Sequence, residues 1–128
     1  MKRPSTALTE RERAALALTD ALDARLLTAI AEPARVEIVK FLLLHGASDA
    51  TAIAAPLPIE RSVVSRHLKI LLDAGLLTVR KEGRRRIYDL DGPGFLARLE
   101  EMVARARALV ALCCPPTSAL VSIRRKPD

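Results

Sequence analysis

The 128-residue sequence contains no tryptophan, no asparagine and no glutamine, and its aromatic residues are Phe41, Tyr88 and Phe95 alone. So few aromatics disfavour a reader of single strands or RNA loops, because such proteins stack bases on several exposed rings. Without Asn or Gln, the bidentate amide contact to adenine is unavailable, so any base reading must come from Arg, Lys, Ser, Thr or His. No apolar run approaches the ~20 residues of a membrane helix, and Met1–Leu8 lacks the hydrophobic region of a signal peptide. The expectation is a cytoplasmic protein with no membrane partner. The two cysteines, Cys113 and Cys114, are adjacent, which is no disulfide framework. No nucleophile, base and oxyanion donor can be assembled from the motifs present, so an enzyme is not expected.

What the chain does have is charge in one place. Residues 61–86 carry Arg61, Arg66, Lys69, Arg80, Lys81, Arg84, Arg85 and Arg86 against Asp73 and Glu82, an excess equal to the +6 of the whole protein. A fifth of the chain thus holds the entire imbalance, which suits a surface that meets a polyanion.

Local signals divide the chain into an N-terminal tail (1–8), a folded region (9–114) and a C-terminal tail (115–128) with a basic cluster at Arg124–Lys126. Thr9 and Glu12 form a capping-box pattern ahead of a helix running to about Ala31, with Leu18, Leu22, Leu26 and Ile30 as its stripe. Pro33 opens a second helix and Gly46 closes it. Ser48 or Asp49 caps a short third helix that Pro56 and Pro58 stop. The fourth, about Glu60 to Ala74, sets Val64, Leu68, Leu71 and Leu72 on one side. Ser62, Ser65, Arg66 and Lys69 lie roughly opposite. Short hydroxyls and two cations on the open side suit a major groove. Leu76–Lys81 and Arg85–Leu90 read as two strands around Glu82-Gly83, with Gly83 permitting the positive φ of a tight turn. A fifth helix follows from Pro93 to about Leu112, keeping Phe95, Leu99, Met102, Val103, Ala106, Leu109, Val110 and Cys113 in helical period. Glu100 and Glu101 point about 100° apart there and read as a solvated face.

The predicted architecture is mainly α with a small two-stranded β-wing: a winged helix-turn-helix of order α-α-α-α-β-β-α, homodimeric. Four stretches, spread over roughly residues 20–95, carry a family resemblance: Ala31-Glu32-Pro33-Ala34-Arg35-Val36-Glu37-Ile38, Val64-Ser65-Arg66-His67-Leu68-Lys69-Ile70-Leu71, Asp73-Ala74-Gly75-Leu76-Leu77 and Arg80-Lys81-Glu82-Gly83-Arg84-Arg85-Arg86-Ile87-Tyr88. The resemblance is to the ArsR/SmtB family of bacterial repressors. It implies a homodimer held by the terminal helices, binding an inverted-repeat operator in double-stranded DNA and releasing it when an effector binds. On that reading Ser62, Ser65, Arg66 and Lys69 enter the groove. Arg61, Arg80, Lys81, Arg84, Arg85 and Arg86 hold phosphates or reach a minor groove. His67 packs the helix or contacts a phosphate. Two effector sites of the family find no match. Thr51-Ala52-Ile53-Ala54-Ala55 holds no thiol, and neither histidine, His45 or His67, lies on the last helix. Pro56-Leu57-Pro58 stands where relatives usually carry a glycine.

Cys113-Cys114 is the remaining chemical feature. Consecutive Cα atoms lie about 3.8 Å apart, below the ~4.4–6.8 Å that disulfides prefer, so a bond between them is poor. A thiophilic centre asks less, because each sulfur bonds the ligand rather than the other sulfur, and soft thiolates select soft centres. Some arsenic-responsive members of the family carry adjacent cysteines near the end of the last helix, and this pair resembles theirs. The expected effector is trivalent arsenic, methylarsenite or arsenite, with no cofactor required. Two other readings stay open: a winged-helix repressor that senses oxidants or no ligand, and a winged-helix dimerisation module without DNA binding.

Overall fold

The computed structural model describes residues 8–114; the two expected tails and the Arg124–Lys126 cluster lie outside the described residues, Leu8 apart. The elements are α1 (Glu10–Ala21), α2 (Ala24–Ala29), α3 (Pro33–His45), β1 (Ser48–Asp49), α4 (Ala50–Ala54), α5 (Arg61–Asp73), β2 (Leu77–Glu82), β3 (Arg85–Leu90) and α6 (Gly92–Cys113).

Two elements differ from the sequence reading. The expected first helix is two, because Asp23 leaves helical geometry and its Oδ1 accepts the Leu26 amide at 3.0 Å, starting α2 afresh. Aspartate competes for backbone amides in this way, which is why it favours caps over helix interiors. The Leu stripe is divided with it: Leu26 is buried, whereas Leu22 is half exposed. The wing is also larger than two strands. Ser48 and Asp49 form a short strand, giving an antiparallel sheet of order β1-β3-β2 with Ser48 opposite Tyr88 and Asp49 opposite Ile87. Asp49 then caps α4, accepting the Ala52 amide at 2.8 Å.

The remaining boundaries follow their signals. Thr9 and Glu12 exchange backbone–side-chain hydrogen bonds at 2.9 and 3.0 Å. Gly75, at φ 80°, ends α5, and Gly83, at φ 66°, turns the hairpin, in both cases a conformation that a Cβ disfavours. Gly92-Pro93-Gly94 forms the first turn of α6, where the Asp91 carboxylate accepts the Gly94 amide at 3.0 Å.

The described chain falls into two compact units. One spans Asp23–Ala97 and contains the whole buried core, with Leu26, Ile38, Ile53, Val64, Leu68 and Leu71 fully enclosed. The other joins the chain up to Leu22 with the chain from Arg98 onward. Neither α1 nor α6 contains a buried residue, and Leu16, Val103 and Val110 are each about half exposed. No helix among the described residues is long and apolar enough to cross a membrane.

Candidate nucleic-acid interface and thiol pair

The amphipathic pattern of α5 places its side chains as the sequence spacing predicts. Val64, Leu68 and Leu71 point into the core, Leu72 is half-buried, and Ser62, Ser65, Arg66 and Lys69 are exposed. Burial of three aliphatic side chains, at roughly 1.5–3 kcal/mol each, fixes the helix about its axis and so aims the opposite face outward. The wing comes next in sequence, and β2 pairs with β3 from Leu77–Leu90 to Glu82–Arg85, ending in an exposed basic turn.

Helix and wing enclose a cleft of about 610 Å³, lined by Arg61, Ser65 and Lys69 from α5 and by Arg84, Arg85 and Arg86 from the wing. Six of the eleven residues predicted for nucleic-acid contact therefore share one concavity. Arg80 and Lys81 border a smaller groove of about 350 Å³ with Val79 and Arg86. Ser62 and Arg66 are exposed on α5 outside both clefts.

The cations differ in what holds them. Lys69 pairs with Asp73 at 3.4 Å, Arg80 with Glu82 at 2.8 Å and Arg85 with Asp49 at 2.9 Å. Arg61, Arg66, Lys81, Arg84 and Arg86 form no ion pair among the described residues. Asp49 has its carboxyl held below the usual range, first by the Ala52 amide and then by the Arg85 guanidinium.

His67 does not join the exposed face. It is half-buried, with Nδ1 3.1 Å from Arg35 Nη1. Arg35 also donates to the carbonyls of Ala29 at 2.6 Å and Thr28 at 3.3 Å, the open end of α2. One guanidinium thus ties the end of α2, the start of α3 and α5 together, a cation where a helix C-terminus favours one. Since an arginine only donates, Nδ1 accepts and the imidazole is neutral there. Burial, followed by the charge of Arg35, lowers the His67 pKa below its ordinary value. His45, for its part, lies against Phe41 with ring centroids 4.4 Å apart.

Sequence reasoning missed Arg35 and Asp49 as parts of this site. Arg35 was visible only inside a family motif, and Asp49 only as a cap. Their partners lie 32 and 36 residues away, and no local periodicity reports such pairings.

At the other end of the chain, Cys113 closes α6 and Cys114 follows it, its amide still bonded to the Val110 carbonyl at 2.9 Å. Cys113 is half-buried and Cys114 exposed, with their Sγ atoms 3.0 Å apart. The side chains converge where a regular helix would spread them. The hydrogen bond to Cys113 and partial desolvation push the Cys114 thiol pKa up, against the opposing charge of Arg11. Among the described residues no group of three His, Cys, Asp or Glu side chains is placed to hold a metal ion.

A three-stranded winged sheet packed beside a helix-turn-helix, with the basic cleft between them, defines a winged helix-turn-helix protein. A family model described as a helix-turn-helix domain matches residues 30–80. The regulator Rv2034 of Mycobacterium tuberculosis is 42% identical over 69 residues, which is 54% of this chain and 64% of that protein. The chain thus spans a little under two thirds of that relative's length. A crystal structure described as "possible transcriptional regulator for arsenical resistance" is 31% identical, with a TM-score of 0.55 over 84% of this chain and 99% of that one. The homodimeric winged helix-turn-helix DNA-binding domain of Mb0332 from Mycobacterium bovis, solved by NMR, is 25% identical. Its TM-score is 0.54, over 83% of this chain and 92% of that one. This chain belongs to the ArsR/SmtB family of winged helix-turn-helix transcription regulators.

Proposed function

We propose that the protein is a homodimeric transcriptional repressor that reads an inverted-repeat operator with α5 and the wing and lets it go when a trivalent arsenical joins Cys113 and Cys114. The observation that carries the DNA reading is the shared cleft. Arg61, Ser65 and Lys69 face Arg84, Arg85 and Arg86 across a space open to a duplex backbone. Exposed hydroxyls and the unpaired Arg66 on α5 suit base edges in a major groove, while the wing's free arginines suit phosphates. The half-exposed apolar residues of α1 and α6 support a second copy as their cover, as does the homodimeric state of the Mb0332 domain. A two-fold dimer would set its reading helices about one DNA turn, ~34–36 Å, apart on a palindromic site.

The effector reading rests on the sulfur geometry. Sulfurs 3.0 Å apart, each ~2.3 Å from a common centre, subtend about 80° there, whereas a regular tetrahedral site needs ~3.8 Å between them. A narrow angle suits a pyramidal trivalent centre better than tetrahedral zinc. Two sulfurs per chain match a monosubstituted arsenical, whose third valence is already filled by carbon. In the exchange two As–O bonds break and two As–S bonds form; the thiol protons leave in two waters, with no change of oxidation state. Inorganic arsenite would bind more weakly unless the partner chain lends a thiolate. Release then requires that the effector-bound conformation favour the ligand by as much free energy as operator binding loses.

The DNA reading is tested by titrating operator and non-operator duplexes over a range of salt. Log affinity should fall steeply with log salt. Arg84→Ala should weaken all duplexes alike and flatten that slope, whereas Arg66→Ala should alter discrimination among operator variants, with ~1–3 kcal/mol at stake per base contact. Indistinguishable variants would contradict the assignment of helix and wing.

A further inference from the structure

The basic cleft contains two acidic side chains whose sign is wrong for its proposed partner, Asp49 and Asp73; Asp73 pairs with Lys69 of its own helix at 3.4 Å, whereas Asp49 reaches across to the wing. Asp49 lines it among five cations, where an ionised carboxylate repels phosphate. Its two oxygens are both used. Oδ1 accepts the Ala52 amide at 2.8 Å, and Oδ2 accepts from Arg85 Nε at 2.9 Å. The sheet register explains the second contact. Asp49 stands opposite Ile87, so Arg85, two residues along on the same face, is its diagonal cross-strand neighbour. The same carboxylate therefore fastens the start of α4, inside the helix-turn-helix, to the turn end of the wing, where Arg85 pairs in register with Glu82. Arg84 and Arg86, on either side of Arg85, form no ion pair among the described residues.

We propose that Asp49 is a specificity-setting positioning residue: its carboxylate clamps Arg85, fixing where Arg84 and Arg86 stand relative to α5 and withdrawing one cation from indiscriminate pairing with DNA phosphates. This rests on the DNA-binding reading and deepens it. An exposed arginine on a free wing adds counterion release on any duplex. The same arginine held to a carboxylate adds little until an operator is docked in register. Asp49 thus lowers affinity for every sequence except the one whose backbone meets a wing already in place, which is specificity obtained by weakening the competitors.

The test is a cycle of Asp49→Asn, Arg85→Gln and the double variant, each titrated with operator and non-operator duplex across salt. Asn keeps an oxygen for the Ala52 amide, so the cap survives while the negative charge that holds Arg85 is lost; thermal unfolding checks that the fold is retained. Asp49→Asn should bind non-operator DNA more tightly, by about threefold at moderate salt, with a slope steeper by about one phosphate, and should lower the operator preference by at least that factor. Arg85→Gln should reduce the non-operator slope less when Asp49 is present than when Asn replaces it, a non-additivity that a mere sum of charges does not give. Equal slope changes in both backgrounds, or an unchanged operator preference in Asp49→Asn, would overturn the inference and leave the DNA reading standing. Absence of salt-sensitive duplex binding by the wild type would overturn both.

Discussion

The segment Asp23–Ala97 and the pair formed by α1 with the later part of α6 solve the burial problem differently. The first encloses every fully buried side chain among the described residues, and its α5 is pinned by Val64, Leu68 and Leu71. The second is rich in Ala, Leu and Val yet buries none of them fully. Apolar helices that find no core in their own chain gain stability from another copy, as association removes the same surface from water. The comparison separates two tasks: a self-sufficient unit that can hold a DNA-reading surface rigid, and a unit completed by a partner, at whose end the thiol pair sits. On the proposed function, a ligand there would act on the less self-contained half of the molecule, where a small gain in free energy can shift an equilibrium.

The largest effect should come from charging the second unit. Val103→Glu, or Leu16→Glu, should turn a dimer into monomers by light scattering and reduce operator affinity by about 10²–10⁴-fold through lost bivalency. A dimer of unchanged affinity would remove the distinction between the units.

Within the first unit the expected damage is to folding. Leu68→Ala should cost roughly 2–5 kcal/mol, as for a fully enclosed leucine, whereas Leu16→Ala, already half exposed, should cost well under half of that in a monomeric background. Denaturant unfolding measures both, and equal losses would place core where we see surface.

Much of this division was legible in the sequence. The periodicity of α5 placed Val64, Leu68 and Leu71 inward and Ser62, Ser65, Arg66 and Lys69 outward, because helical geometry alone decides it. Gly75 and Gly83 marked their boundaries for the same local reason. The break at Asp23 was missed because an unbroken Leu stripe outweighed a single capping aspartate. The strand at Ser48–Asp49 was missed because two residues carry no period, and their pairing with β3 is decided by tertiary packing. His67 was read as packing the helix or contacting a phosphate, and it does pack; that its partner is Arg35 is likewise decided by tertiary packing. The convergence of the cysteine sulfurs depends on the end of α6, which sequence marked only by the two prolines that follow.

The smallest effect concerns that histidine. Its folded pKa lies below the ordinary value, so as pH falls the unfolded chain takes up the proton first. The stability it contributes is present above ~6.5 and is lost as pH falls through that value toward the folded pKa. Protonation also removes the acceptor that Arg35 uses. Melting temperature should therefore drop more between pH 7.5 and 5.5 in the wild type than in His67→Asn, which can keep an oxygen acceptor and does not titrate. Identical pH profiles would show that the contact contributes nothing to stability.

The most direct test of the two-unit account is release of a fluorescent operator duplex from the wild type and from Cys113→Ser/Cys114→Ser, titrated with methylarsenite beside arsenite, zinc and peroxide. The account predicts that methylarsenite releases DNA from the wild type at one equivalent per subunit, that arsenite acts more weakly, and that the double variant keeps its operator throughout. Release from the double variant, or a wild type that ignores every thiophile, would contradict it.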